Sequence, residues 1–140
     1  MRALARLVSS RSLPLLEQLD VHSNALGDAA LVVLAEAAAE GGLARLEHLV
    51  LRDNRIGDEG VKALAAACSK GALPELRILS LDGNSIGDVG LSALSAALAT
   101  GKLSQLTSRS LNSKPTKSPL RCPRLKAVSW KRSAFKKGKQ

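Results

Sequence analysis

The sequence predicts an α/β solenoid of about three stacked units, each a strand, a turn, a helix and a loop. Three observations lead there. First, a block recurs every 30 residues: Leu16 to Asp28 is matched by Leu46 to Asp58 and again by Leu76 to Asp88, each reading L-x-x-L-x-[LV]-x-x-N-x-[LI]-G-D. A fixed period of this length marks a repeat protein, whose units bury their apolar faces against one another. Second, each block begins with alternating apolar residues and passes into an Ala/Leu-rich stretch with helical spacing. Third, the body has no aromatic side chain, since Trp130 and Phe135 both lie near the C-terminus. A core of Leu, Val, Ile and Ala suits identical thin layers better than a globule built around large rings.

Taken in order, Leu46, Leu49 and Leu51 alternate as a short strand with one buried face, as do their counterparts in the other two blocks. Asn24, Asn54 and Asn84 follow at one fixed place. A buried Asn offers two donors and an acceptor, so a ladder of them can satisfy backbone groups left open where the chain turns out of each strand. Gly27-Asp28, Gly57-Asp58 and Gly87-Asp88 then mark helix starts. Asp there is expected to act as an N-cap for its own helix. The helices are expected to bury Leu31 and Leu34, Val61 and Leu64, and Leu91 and Leu94, with Ala30, Gly60 and Gly90 allowing close approach of adjacent units. Gly41 and Gly42, Gly71 and Gly101 end the helices.

This constellation resembles the leucine-rich repeats of the ribonuclease-inhibitor type, and is similar to the repeats of NLR-family receptors and Ran GTPase-activating proteins. The resemblance covers roughly residues 3–106. It implies a right-handed solenoid with parallel strands inside and helices outside, and ligand recognition by the concave strand face and its rim loops. Fold alone does not fix function. No residue here points to GTPase activation, and no G-x-x-x-x-G-K-[ST] sequence is present.

With 140 residues the chain has room for one domain. Residues 16–105 are read as three repeats and residues 1–15 as a partial repeat of helix and loop. The latter reading rests on the alignment of Ala3 to Leu16 with Ala63 to Leu76 at twice the repeat spacing. A competing reading exists, because Arg2, Arg6, Arg11, several serines and no acid also match the composition of a mitochondrial presequence. Residues 106–112 read as a degenerate repeat start, since Arg109 falls where Leu79 sits, Lys114 just beyond falls where Asn84 sits, and a guanidinium resists burial at a leucine site. Pro115 and Pro119 lie beyond, and residues 113–140 read as a basic, disordered tail. The start within a repeat and the lack of polar caps suggest a fragment of a larger array, or a tail that is not native.

The net charge of +9 is unevenly distributed. Residues 1–100 carry 9 Lys/Arg and all 12 Asp/Glu, whereas residues 101–140 carry 12 Lys/Arg and no acid. Cys68 and Cys122 are far apart and lack histidine neighbours at ligand spacing, so no metal site or disulfide is expected. Their use fits a reducing, intracellular setting, cytoplasmic or nuclear. No apolar run is long enough for a transmembrane span.

Alternation places Gln18, Asp20 and His22, then His48, Val50 and Arg52, then Ile78, Ser80 and Asp82 on the exposed side of the strands. These residues are the candidate partner-binding face, with a lateral Arg52–Asp82 pair across it. No nucleophile accompanies His22, Arg52 and Asp82, so a non-enzymatic protein-binding scaffold needing no cofactor is expected. Asp82-x-Asn84-x-x-Gly87 is not a calcium loop, because Ile86 takes a ligand position and Ala93 replaces the closing Glu. The alternative function lies in the tail. Trp130, Lys131, Arg132, Lys136, Lys137 and Lys139, with Phe135, combine cations and rings suited to nucleic acid, a nuclear-import receptor or an anionic membrane surface.

Overall fold

The computed structural model describes residues 15–106. Among them, strands and helices alternate: β1 (Gln18–Asp20), α1 (Asp28–Ala39), β2 (His48–Val50), α2 (Asp58–Ser69), β3 (Ile78–Ser80) and α3 (Asp88–Ala99). The strands form one parallel sheet in the order β1-β2-β3. Parallel neighbours need a crossover, and α1 and α2 each supply one. Gln18 pairs with His48 and His48 with Ile78, and Leu49 likewise stands between Leu19 and Leu79. The register therefore equals the sequence period. A slip by one residue would turn every leucine of a strand outward, which fixes the stacking.

The core lies between the sheet and the helices. Leu46, Leu49 and Leu51 of the second unit are at most 2% exposed, and Ile56, Leu64, Leu73, Leu76 and Leu79 are as deeply buried. Each such side chain contributes roughly 1.5–3 kcal/mol relative to exposure. The outer units are looser: Leu16, Leu19 and Val21 on one side and Leu91 on the other are only partly buried. Leu103 and Leu106, after α3, are buried beneath the third unit. The rest of the 106–112 segment, the 113–140 tail and residues 1–14 lie outside the described residues.

The helices end as their glycines predict. Gly41, Gly71 and Gly101 have φ of +83°, +85° and +75°, a region that L side chains rarely adopt. After α1 the amide of Gly41 donates to the Ala38 carbonyl and that of Gly42 to Ala37, each at 3.0 Å. After α2, Gly71 and Ala72 donate to Cys68 and Ala67 in the same way. These paired bonds satisfy carbonyls that a helix end leaves open. After α3 the Thr100 hydroxyl donates to the Ala97 carbonyl at 2.7 Å and accepts from the Lys102 amide at 3.3 Å.

The helix starts correct the sequence reading. The N-caps are Gly27, Gly57 and Gly87, and none is capped by a side chain of its own helix. Each aspartate is instead the first helical residue. From there Asp28 reaches sideways to the next unit, where Oδ1 accepts the amides of Gly57 at 2.7 Å and Gly60 at 2.9 Å. Asp58 repeats this with Gly87 and Gly90 at 2.8 and 2.9 Å. The capping bond thus runs between helices, because the glycines leave room for it. A Cβ at Gly60 or Gly90 would lie 2.7 Å from the carboxylate oxygen.

Candidate partner-binding face

Where each strand leaves the sheet, an asparagine holds the turn. Asn54 Oδ1 accepts the amides of Asn24 at 3.1 Å and Leu26 at 2.9 Å, while Nδ2 donates to Val21 at 3.0 Å and Leu51 at 2.9 Å. Asn84 accepts from Ile56 and donates to Leu51 and Leu81. Asn54 and Asn84 are each 6% exposed. Asn24 stands at the same place in the first unit but is exposed, and its side-chain amide donates to the carbonyl of His22 at 2.9 Å. The backbone needs help here because residues 23, 53 and 83 all have positive φ, from +54° to +69°.

These turns fix the direction of the adjoining strand-face side chains. Parallel pairing continues beyond the strands, through Val21 to Val50, Leu51 to Ser80, Ser23 to Arg52 and Asp53 to Asp82. The face therefore carries three rows: Gln18, His48 and Ile78; Asp20, Val50 and Ser80; His22, Arg52 and Asp82. Gln18, Asp20, His22 and Arg52 are exposed, while His48, Val50, Ile78, Ser80 and Asp82 are half-buried.

Two contacts on this face differ from the sequence expectation. Arg52 does not reach Asp82; its Nε lies 3.4 Å from Oδ2 of Asp53, the adjacent residue in the turn. Asp53 itself has positive φ, and Oδ1 of Asp82 is buried without a hydrogen-bond partner. The closer pair lies where the chain leaves β1: Oδ1 of Asp20 accepts from His22 through Nδ1 at 2.7 Å and through the backbone amide at 3.1 Å. The side-chain bond, followed by the backbone bond, holds the Asp20 carboxyl below its ordinary value. Sequence reading by rows missed this pair. Its signal is the two-residue spacing of an acid and a histidine on one strand face.

Among the described residues no three His, Cys, Asp or Glu side chains gather to hold a metal ion. Cys68 is fully buried in the core, and desolvation pushes its thiol up to about 11. None of the described helices is long and apolar enough to cross a membrane. The tail residues Trp130, Lys131, Arg132, Lys136, Lys137 and Lys139 lie outside the described residues.

Comparison with known proteins agrees with the architecture. The family model described as Leucine Rich repeat matches residues 12–35, 45–65 and 73–95. No curated protein matches the chain at a significant level. Each matched stretch includes the strand and the first part of the helix of one unit, so the body of this chain is a leucine-rich repeat array.

Proposed function

We propose that the chain is a non-enzymatic scaffold of the ribonuclease-inhibitor-like type, binding a protein partner through the strand face and adjacent loops. The observation that carries this reading is the ordering of the face. Six side chains from three strands and three from just beyond them stand in rows, with the half-buried Val50 and Ile78 set among Asp20, His22, Arg52 and Asp82. Leucine-rich repeats are in general protein-interaction modules. A rigid, mixed surface of this kind binds through a few central anchors, and here Val50 and the exposed Arg52 are the natural ones.

The test is partner binding by the wild type, by Arg52→Glu and by the chain lacking residues 113–140. Arg52→Glu is expected to weaken binding by about 10-fold or more, with the melting temperature nearly unchanged because the side chain is solvent-exposed. Deletion of the tail is expected to leave affinity intact. Binding that survives Arg52→Glu, falls steeply with salt and vanishes with the tail would instead assign the interaction to the basic segment and to nucleic acid.

A further inference from the structure

The charged side chains of the strand face are not equally provided for. Oδ1 of Asp20 accepts from His22 at 2.7 Å, and Nε of Arg52 lies 3.4 Å from Oδ2 of Asp53. Asp82 is the exception. Its Oδ1 is cut off from solvent, and among the described residues no donor reaches it. A carboxylate oxygen that has lost water without gaining a hydrogen bond is unfavourable, and here that cost is already incurred in the free protein.

The neighbouring arginine is engaged elsewhere. The three turns hold Ser23, Asp53 and Gly83 at one positive-φ position. A Cβ on Gly83 would overlap Oδ1 of Asp53, so the bare glycine leaves the space in which that carboxylate lies. The other oxygen of Asp53 meets Arg52, and the charge of Asp82 stays uncompensated. Asp82 is only half-buried, so it is reached from the open side of the face. Ser80 on β3 and Val50, its partner on β2, precede it on that face and are also half-buried. A long cationic side chain arriving there lays its methylene stem along Val50 and Ser80 and brings its charge to the carboxylate.

We infer that Asp82 selects the partner, taking a lysine or arginine of a partner protein whose neighbouring apolar side chain rests on Val50 and Ile78. This rests on the strand-face reading given above and names the chemistry that the face accepts. Arg52 calls for an acid and Asp82 for a base, one strand apart in the same row. A partner with those charges in the reverse order is rejected.

NMR titration of the full chain with two peptides tests this: acetyl-Ala-Leu-Arg-Leu-Ala-amide, and the same peptide with citrulline, an uncharged isostere, in place of arginine. The arginine peptide is expected to bind at least about 5-fold more tightly, with shifts at Val50, Ser80 and Asp82. Asp82→Asn is expected to abolish the difference. Glu36→Gln, which removes an exposed acid of α1, is expected to preserve it. Equal affinity of the two peptides on the strand face would overturn the cation site and leave the face standing. Absence of shifts on the face with either peptide would also overturn it, and the strand-face reading would then rest on Arg52→Glu alone. An equal loss with Glu36→Gln would reduce the preference to general attraction by acidic surface and overturn Asp82 as its source. Tighter binding of the arginine peptide after removal of residues 113–140 would overturn a partner as the occupant in favour of the chain's own basic segment. The comparison of peptides on the wild type remains decisive should Asp82→Asn fail to fold.

Discussion

At Asn54 a single amide serves two units at once, accepting from the Asn24 and Leu26 amides of one and donating to carbonyls of both. Asn54→Ala leaves several of these buried groups unsatisfied and is expected to cost about 2–4 kcal/mol. Asn24→Ala removes an exposed side chain and is expected to cost no more than about 1 kcal/mol. Urea titration of both variants checks this, and equal losses would mean that the amide does not hold the turn. The spacing of the asparagines showed where the ladder runs. It did not show that the first rung would be exposed, because burial depends on a neighbour and not on the motif. Asp20 offers a second test on the same scale. Its carboxyl is held below the ordinary carboxylate value, so its contribution is present above that value, about 3.9, and lost as pH falls through the lower folded one. NMR titration should show His22→Ala moving the Asp20 titration upward but not fully to the ordinary value, since the backbone bond persists. No movement would remove the side-chain bond as the cause.

Between elements, the deciding interaction is the aspartate that caps the neighbouring helix. Helix propensity alone favours Gly60→Ala by about 1 kcal/mol. The structure reverses that sign, because the new Cβ would lie 2.7 Å from Oδ1 of Asp28 and 3.1 Å from its Cα. Gly60→Ala is therefore expected to destabilise the wild type, and to do so much less in an Asp28→Ala background. A double-mutant cycle by denaturant unfolding should give a coupling of about 1–2 kcal/mol, and additive losses would rule out the inter-helix contact. The sequence contained a signal for this pairing that the local capping rule hid. Gly60 and Gly90 each follow an aspartate by 32 residues, at Asp28 and Asp58. Glycine inside a helix start is a cost without a local reason, and its reason here is one unit away. The helix ends were legible because the glycine there answers to its own backbone, through a positive φ.

Across the molecule, the fold was legible because one period sets strand register, helix spacing and core together, so that each unit confirms the next. The candidate face was legible as rows for the same reason. Its actual contacts, Arg52 with Asp53 and Asp20 with His22, follow turn dihedrals and side-chain reach that a period does not encode. One continuous core also means that its centre opens only when the units separate. Cys68, fully buried in α2 among the side chains of that core, reports on this opening. Burial raises its thiol from an ordinary value of 9.0 to about 11. Between those values the unfolded chain releases the proton and the folded chain retains it. Stability is therefore undiminished below about 9 and falls as pH rises toward about 11, by up to roughly 3 kcal/mol. The chain has no tyrosine to titrate in that range. In a Cys122→Ser background, Cys68 is expected to react with a thiol reagent at pH 8 only at the rate of opening, and faster as urea is added. Replacing Cys68 by Ala, the residue at the equivalent position of the first unit, should flatten the alkaline fall in stability. A thiol that reacts at once without denaturant would show that the units separate independently and that the core is not one cooperative body.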